Sequence, residues 1–285
     1  MIRGTTKVCG VWGWPVTHSA SPAMHNAAFE ALGLDFVYVP FAVSPENLKQ
    51  AVAGVRALGM VGVNVTVPLK ERIIEFLDRL TERAERLGAV NTLFWEGDKL
   101  CGDSTDGPGF LAALPIALTP SMTAVVLGAG GSARAVVDAL VQSGIRVLVA
   151  NRTVERAEEL VTRFGAAGAL PLEEAPLREA LRDASLLVNT TSIGMHPNHT
   201  EQPPVPEDAL HPDLFVTDLI YNPAQTRLLA RAQQHGCGTQ NGIEMLVQQG
   251  AISFTRWTGQ EAPLKIMRTG VKQFLGKTDT IIEAL

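Results

Sequence analysis

Cysteine is scarce in this chain of 285 residues: there are three, at 9, 101 and 237, widely spaced and without a CxxC pair. That excludes a disulfide framework and a thiolate zinc site, and it reads as reduced thiols in a cytoplasmic protein. Long apolar runs are missing too. None approaches the roughly 18 residues that a membrane-spanning helix needs, and the opening MIRGTTKVCGVWG lacks the apolar core of a signal peptide. Positive charge is not in surplus. The 24 Lys and Arg stand against 29 Asp and Glu, a net charge of −5, which argues against a nucleic-acid binder. Internal repeats and low-complexity tracts are absent as well. Neither His18 nor His25 has partners at metal-ligand spacing, so both are read as structural and no metal site is expected.

What remains is a globular composition, with 46% hydrophobic and 19% charged residues. At about 150 residues per domain, the length fits two domains. Apolar β-branched stretches at 8–12, 36–42, 61–67, 124–127, 147–150, 186–189 and 215–219 alternate with amphipathic stretches at 21–32, 44–58, 132–142 and 154–164. Such alternation predicts parallel sheets covered by helices. Ser21-Pro22 and Ser44-Pro45 each place a capping hydroxyl before a proline at the first helical position. Residues 92–95 and 100–102, joined by Glu96-Gly97-Asp98-Lys99, read instead as an antiparallel hairpin. After Gly242 the pattern is helical to the end of the chain, and those helices need a sheet to cover. The expected fold is therefore α/β in two domains with a cleft between them. An N-terminal α/β domain with a mainly parallel sheet takes 1–106 plus 243–285. A Rossmann-type domain takes 107–242.

The second domain is inferred from AVVLGAGGSA at 124–133, a strand followed by G-x-G-x-x-A and a helix. Gly128 allows the tight turn, Gly130 lets a pyrophosphate approach the backbone, and Ala133 lets the helix pack on the strand. The helix N-terminus presents N–H groups and a positive dipole to the phosphates. The next strand ends in Asn151-Arg152-Thr153, where an NAD enzyme carries an acidic residue for the ribose 2′-OH. Arg152, with Arg156 one turn on, suits a 2′-phosphate, so NADP is the expected cofactor.

Polar residues gather in the first domain. With period 2, Val61, Val63, Val65 and Val67 share one face of a strand, and Gly62, Asn64 and Thr66 share the other. Thr66 and Lys70 fall beyond the strand's carboxyl end, where α/β sheets bind ligands. GDSTDG at 102–107 packs two carboxylates and two hydroxyls into a turn. Ser19 and Ser21 set two hydroxyls beside a helix N-terminus. On the last helical stretch Gly242, Met245 and Gln249 share a face, while Gln248 points elsewhere.

Together these segments resemble the shikimate dehydrogenase family. The matches are HSASPAMHN at 18–26, NVTVPLK at 64–70, GAVNTL at 88–93, GDSTDG at 102–107, GAGGSARA at 128–135, NRT at 151–153, NTTSIGM at 189–195, DLIYNPAQT at 218–226 and GIEMLVQQGA at 242–251. The resemblance implies NADPH-linked reduction of 3-dehydroshikimate, a small-molecule substrate, by a monomer or homodimer without membrane or nucleic-acid partners. It implies Lys70 and Asp106 as the catalytic pair. Ser19, Ser21, Thr66, Asn91, Asp106, Tyr221 and Gln249 would hold the substrate. Gly128, Ala129, Gly130, Gly131, Ser132, Asn151, Arg152, Thr153 and Arg156 would hold NADP, with Leu219, Gly242 and Glu82 completing the cofactor set. Ser104 stands where the family often has Asn, and Leu219 where Met is common. Two rivals share the fold. One is an NAD-using quinate/shikimate dehydrogenase, against which Arg152 argues. The other is a non-catalytic NADP-sensing regulator, which would need no Lys70–Asp106 pair.

Overall fold

The computed structural model describes residues 2–282, with side chains as far as Gly276. In chain order the elements are β1 (Lys7–Gly13), α1 (Ser21–Ala31), β2 (Phe36–Ala42), α2 (Leu48–Ala57), β3 (Gly62–Val65), β4 (Arg79–Leu80), α3 (Glu82–Leu87), β5 (Thr92–Glu96), β6 (Lys99–Asp103), α4 (Asp106–Ala113), β7 (Thr123–Leu127) and α5 (Gly131–Gln142). There follow β8 (Arg146–Asn151), α6 (Val154–Phe164), β9 (Gly168–Pro171), α7 (Glu174–Leu181), β10 (Leu186–Asn189), β11 (Phe215–Asp218), α8 (Arg227–Gln234), β12 (Gly238–Gln240), α9 (Ile243–Thr258) and α10 (Leu264–Ile282). The expectation of helix to the end of the chain lies, for 283–285, outside the described residues. Among the described residues no helix is long and apolar enough to cross a membrane.

The chain divides into two compact units. One takes the residues up to Gly109 and those from Leu246 onward; the other is Phe110–Met245. The joints expected at 106/107 and 242/243 sit at motif edges. The two compact units part inside α4 and α9, after Gly109 and after Met245.

In the first unit the sheet order is β2-β1-β3-β5-β6-β4. β1 pairs parallel with β2 and β3, β4 runs parallel to β6, and the β5–β6 hairpin is antiparallel and joins β3 antiparallel. One rung runs Val11, Asn64, Thr92, Asp103 across four strands, so these side chains share a face. Trp12, Val63, Val65 and Leu93 belong to the core cluster on the opposite face, with Val52 and Val55 of α2. The Asn64 face is closed by α1 and α9. Gly62 makes room there: a Cβ on it would lie 2.0 Å from Trp257 Nε1, whose N–H donates to the Leu93 carbonyl at 2.9 Å.

Two expected caps are not formed. α1 begins at Ser21 itself, with Ala20 in the N-cap position and no side-chain cap. Pro22 sits one place further in than expected, which shifts the start by a residue. It is the Ser19 hydroxyl that accepts a first-turn bond, from Ser21 N–H at 3.3 Å. The stretch 44–58 splits into a short 3₁₀ turn over Pro45–Asn47 and then α2, and Ser44 makes no cap bond.

The second unit is a parallel sheet of order β12-β11-β10-β7-β8-β9. Counted from β7, this is the doubly wound order 3-2-1-4-5-6, with its switch point between β7 and β10. Its core joins Val125, Leu127, Leu187 and Val216 to Leu177, Leu181 and Leu228 from the helices.

Candidate functional site

The carboxyl ends of β1, β3 and β6 lie at one edge of the first sheet, beside the amino end of β5. The loops there carry residues 14–20, 66–70, 91 and 104–106. Lys70 Nζ stands 2.6 Å from Asp106 Oδ2, with the two side chains 13% and 9% exposed. Asn91 Nδ2 donates to the other carboxylate oxygen, Asp106 Oδ1, at 2.7 Å, and to Thr105 Oγ1 at 2.9 Å. Gln249 Oε1 lies 3.3 Å from the same Asn91 nitrogen, while its own amide nitrogen donates to the Leu246 carbonyl. The structure thus joins four residues expected at the site: Lys70, Asp106, Asn91 and Gln249. Gly109 permits the last of these, because a Cβ on it would lie 2.6 Å from the backbone nitrogen of Gln249.

Asp106 opens α4 without capping it; its carboxylate is spent on Lys70 and Asn91. Thr66 packs against Gly13, where a Cβ would lie 2.6 Å from the Thr66 methyl, and its amide donates to the Trp12 carbonyl. Ser19 is half-buried and Ser21 buried. Beside the site Asp103 is fully buried. Burial alone pushes its carboxyl up, but Arg83, Thr81 and Arg256 outweigh this and hold it below the ordinary value. Arg256 also lies over the Phe94 ring at 4.0 Å.

In the second unit Gly128 has φ +106, where a side chain is strained, and a Cβ there would meet Thr190 Oγ1 at 2.6 Å. That hydroxyl donates to the Leu127 carbonyl at 2.6 Å, bridging the switch point. Gly130 is different. Its φ is −87, it is exposed at the N-cap of α5, and a Cβ on it would have open space. Among the described residues no atom beyond its chain neighbours lies within 4 Å of that Cβ, so the backbone at Gly130 is open to an approaching group. The first-turn N–H groups of Gly131, Ser132 and Ala133 follow it, and such groups have no helical acceptor. Asn151 Nδ2 closes a turn on the Thr153 carbonyl, and Arg152 and Arg156 are exposed just beyond. Among the described residues neither arginine has an ion-pair partner. These residues fit a dinucleotide whose 2′-phosphate meets two cations.

Leu219 and Gly242 are adjacent: Gly242 N–H donates to the Ile220 carbonyl, and a Cβ on Gly242 would strike the Leu219 carbonyl at 2.0 Å. Tyr221 is half-buried in the same loop of the second unit. Glu82 is exposed in the first turn of α3, in the first unit, whereas the rest of the expected cofactor set lies in the second.

Three family models match the chain: the shikimate dehydrogenase substrate binding domain over 11–93, shikimate / quinate 5-dehydrogenase over 114–202, and the shikimate 5′-dehydrogenase C-terminal domain over 242–269. A shikimate dehydrogenase (NADP(+)) of Methanopyrus kandleri is 49% identical over 96% of this chain and 98% of its own. The chain belongs to the shikimate dehydrogenase family. It is accordingly an oxidoreductase that uses NADP. A crystal structure of a shikimate dehydrogenase in complex with NADP+ superposes with a TM-score of 0.90 at 41% identity, covering 96% of this chain and 98% of that one. The Thermus thermophilus shikimate 5-dehydrogenase in complex with NADP(H) and shikimate gives 0.87 at 39%, covering 95% and 100%.

Within this shikimate dehydrogenase fold, several residues escaped sequence reasoning. Thr105 sits between Asn91 and Gln249, and Thr92 and Ser253 bond each other at 2.8 Å. In the second unit Asp218 is buried, with Asn189 Nδ2, Thr226 Oγ1 and the Ile220 N–H donating to it. Burial raises its pKa to about 6 against those donors. A carboxylate in an apolar strand was the available signal.

Proposed function

We propose that the chain catalyses the reversible NADPH-linked reduction of 3-dehydroshikimate to shikimate, in aromatic amino-acid biosynthesis. The observation that carries the reading is the Lys70–Asp106 pair at 2.6 Å, with both carboxylate oxygens engaged. NADPH, when bound, supplies the hydride. As the ring carbonyl is reduced its oxygen gains negative charge, and the Lys70 ammonium stabilises and protonates it. An ammonium has three donors. Asp106 takes one, leaving two for substrate. Asp106 cannot swing away, because Asn91 holds its second oxygen.

The unit ending at Gly109 and resuming at Leu246 is proposed as the substrate-binding and catalytic half. Ser19 and Ser21 bind the substrate carboxylate, and Thr66, Asn91, Asp106, Tyr221 and Gln249 bind its hydroxyls or that carboxylate. Phe110–Met245 is the NADP half. There the backbone from Gly128 through Ala129, Gly130 and Gly131 to Ser132 holds the pyrophosphate. Asn151, Arg152, Thr153 and Arg156 hold the adenosine 2′-phosphate, while Leu219 and Gly242 lie at the nicotinamide, with Glu82 in the cofactor set. Three free, buried cysteines suit a cytoplasmic enzyme. The test is an assay of NADPH formation with shikimate and NADP, against quinate and NAD as controls. Turnover with shikimate and NADP supports the reading; turnover only with quinate or NAD, or none, overturns it.

A further inference from the structure

Behind the Lys70–Asp106 pair a line of buried side chains crosses the sheet, and backbone groups fix the orientation of its two asparagine amides. Asn64 Nδ2 faces the Asn91 carbonyl at 3.2 Å. A carbonyl only accepts, so the nitrogen must be on that side and Asn64 Oδ1 on the other. There Oδ1 takes the single proton of the Tyr38 hydroxyl at 2.7 Å. Asn64 Nδ2 also donates to Thr92 Oγ1 at 3.1 Å. Asn91 Oδ1 only accepts, so Thr92 donates to it at 2.9 Å, and Ser253 Oγ, 2.8 Å from Thr92 Oγ1, is then the donor to Thr92.

The Asn91 amide is fixed in the same way. Its Oδ1 accepts from the Thr105 N–H at 2.8 Å, and a backbone amide only donates. Its Nδ2 therefore points to Asp106 Oδ1. Tyr38, Asn64, Thr92, Asn91 and Asp106 thus form a chain in which every bond donates toward the carboxylate. All five are buried, at 0–7% exposure. The ring of His25 stacks on the Tyr38 ring at 4.3 Å and 11°. Hydrogen bonds aligned head to tail in a low-dielectric interior polarise one another.

We propose that Tyr38, Asn64 and Thr92 are positioning residues for the reaction assigned above. Their one-way chain sets the rotation of the Asp106 carboxylate and, through Oδ2, the aim of Lys70. The inference rests on the proposed reaction. None of the three needs to touch substrate, but the Tyr38 hydroxyl also bonds Ser21, so the separation of the chemical step from substrate binding is read at Thr92.

The experiment compares Thr92→Val, which removes the hydroxyl at nearly constant shape, with Thr92→Ser, which keeps it, and adds Tyr38→Phe and the Tyr38→Phe/Thr92→Val double variant. Shikimate oxidation by NADP gives kcat and KM, thermal unfolding gives the folded fraction, and direct titration gives the NADPH Kd. Thr92→Val and Tyr38→Phe should each lower kcat by about tenfold with the NADPH Kd held, and in Thr92→Val KM should move less than about threefold, whereas Tyr38→Phe also frees Ser21 and is read by kcat alone. Thr92→Ser should restore kcat. The double variant should fall no further than Thr92→Val alone, since one cut interrupts the chain. If kcat per folded molecule stays within about twofold of wild type in the hydroxyl-deleted variants, or if Thr92→Ser fails to restore it, the proposal is overturned. Should Tyr38→Phe not fold, the Thr92 pair decides alone. Wild-type protein that does not oxidise shikimate removes the proposed function itself, a result separable from the others.

Discussion

Gly109 and Gln249 meet backbone to backbone: a Cβ on Gly109 would lie 2.6 Å from both the amide nitrogen and the Cβ of Gln249. The close crossing of α4 and α9 is what brings Gln249 to Asn91. Gly109→Ala should therefore force the helices apart, because the clash is with backbone. Overpacking of this kind costs roughly 1–3 kcal/mol. Denaturant unfolding should show that loss together with a raised KM for shikimate. A variant with unchanged KM would separate the crossing from substrate binding.

Lys70→Ala should lower kcat by roughly 10²–10⁴ if the ammonium handles the proton at the reacting oxygen. KM should change less, since Ser19, Ser21, Asn91 and Gln249 remain. Asp106→Asn should slow turnover too, and the double variant should lose less than the product of the two. A Lys70→Ala enzyme within a factor of about ten of wild type would take Lys70 out of the mechanism.

Arg152→Ala should weaken NADP binding far more than NAD binding, because only NADP carries the 2′-phosphate. A charge-assisted bond contributes about 1.5–3 kcal/mol, which titration of both cofactors resolves. Equal losses for the two would reject the assignment.

Acid should destabilise the first unit through His25. Burial holds its imidazole neutral, with the pKa pushed down from 6.5 to about 3. Between those values the unfolded chain binds a proton that the folded chain does not, so stability present above pH 6.5 is lost as pH falls toward 3. Neither ring nitrogen has a hydrogen-bond partner among the described residues. His25→Leu should thus cost little at neutral pH and flatten the acid limb by a few kcal/mol. Asp218 has the opposite sign. Its pKa is raised from 3.8 to about 6, so it removes stability as pH rises through that interval, and Asp218→Asn should abolish that part. Unfolding free energies measured across roughly pH 4–7 check both, and an unaltered slope in either variant refutes its assignment.

The two sheets and the phosphate turn were legible because their signals are local: period-2 valines, a glycine turn, a strand on each side. β4, β9 and β12 were not, being short edge strands such as Arg79–Leu80 with no alternation to read. The valine-versus-asparagine split of β3 was visible, and it does separate two faces. What Asn64 bonds was invisible, since Tyr38, Thr92 and Ser253 reach it only through strand register and the phase of α9. Ser21 was misplaced by one position because Pro22 is compatible with either of the first helical positions.

The first unit draws on both ends of the chain. α10 lies on α1, with the place of a Gly270 Cβ only 2.8 Å from the Ala23 carbonyl. On the ribosome, residues 1–109 emerge first yet must wait for α9 and α10 before Tyr38, Asn64 and Thr92 are covered. Phe110–Met245 is continuous and can mature as soon as it is clear of the exit tunnel. Phe110–Met245 can then be complete while the first unit is still open, until α10 closes over α1.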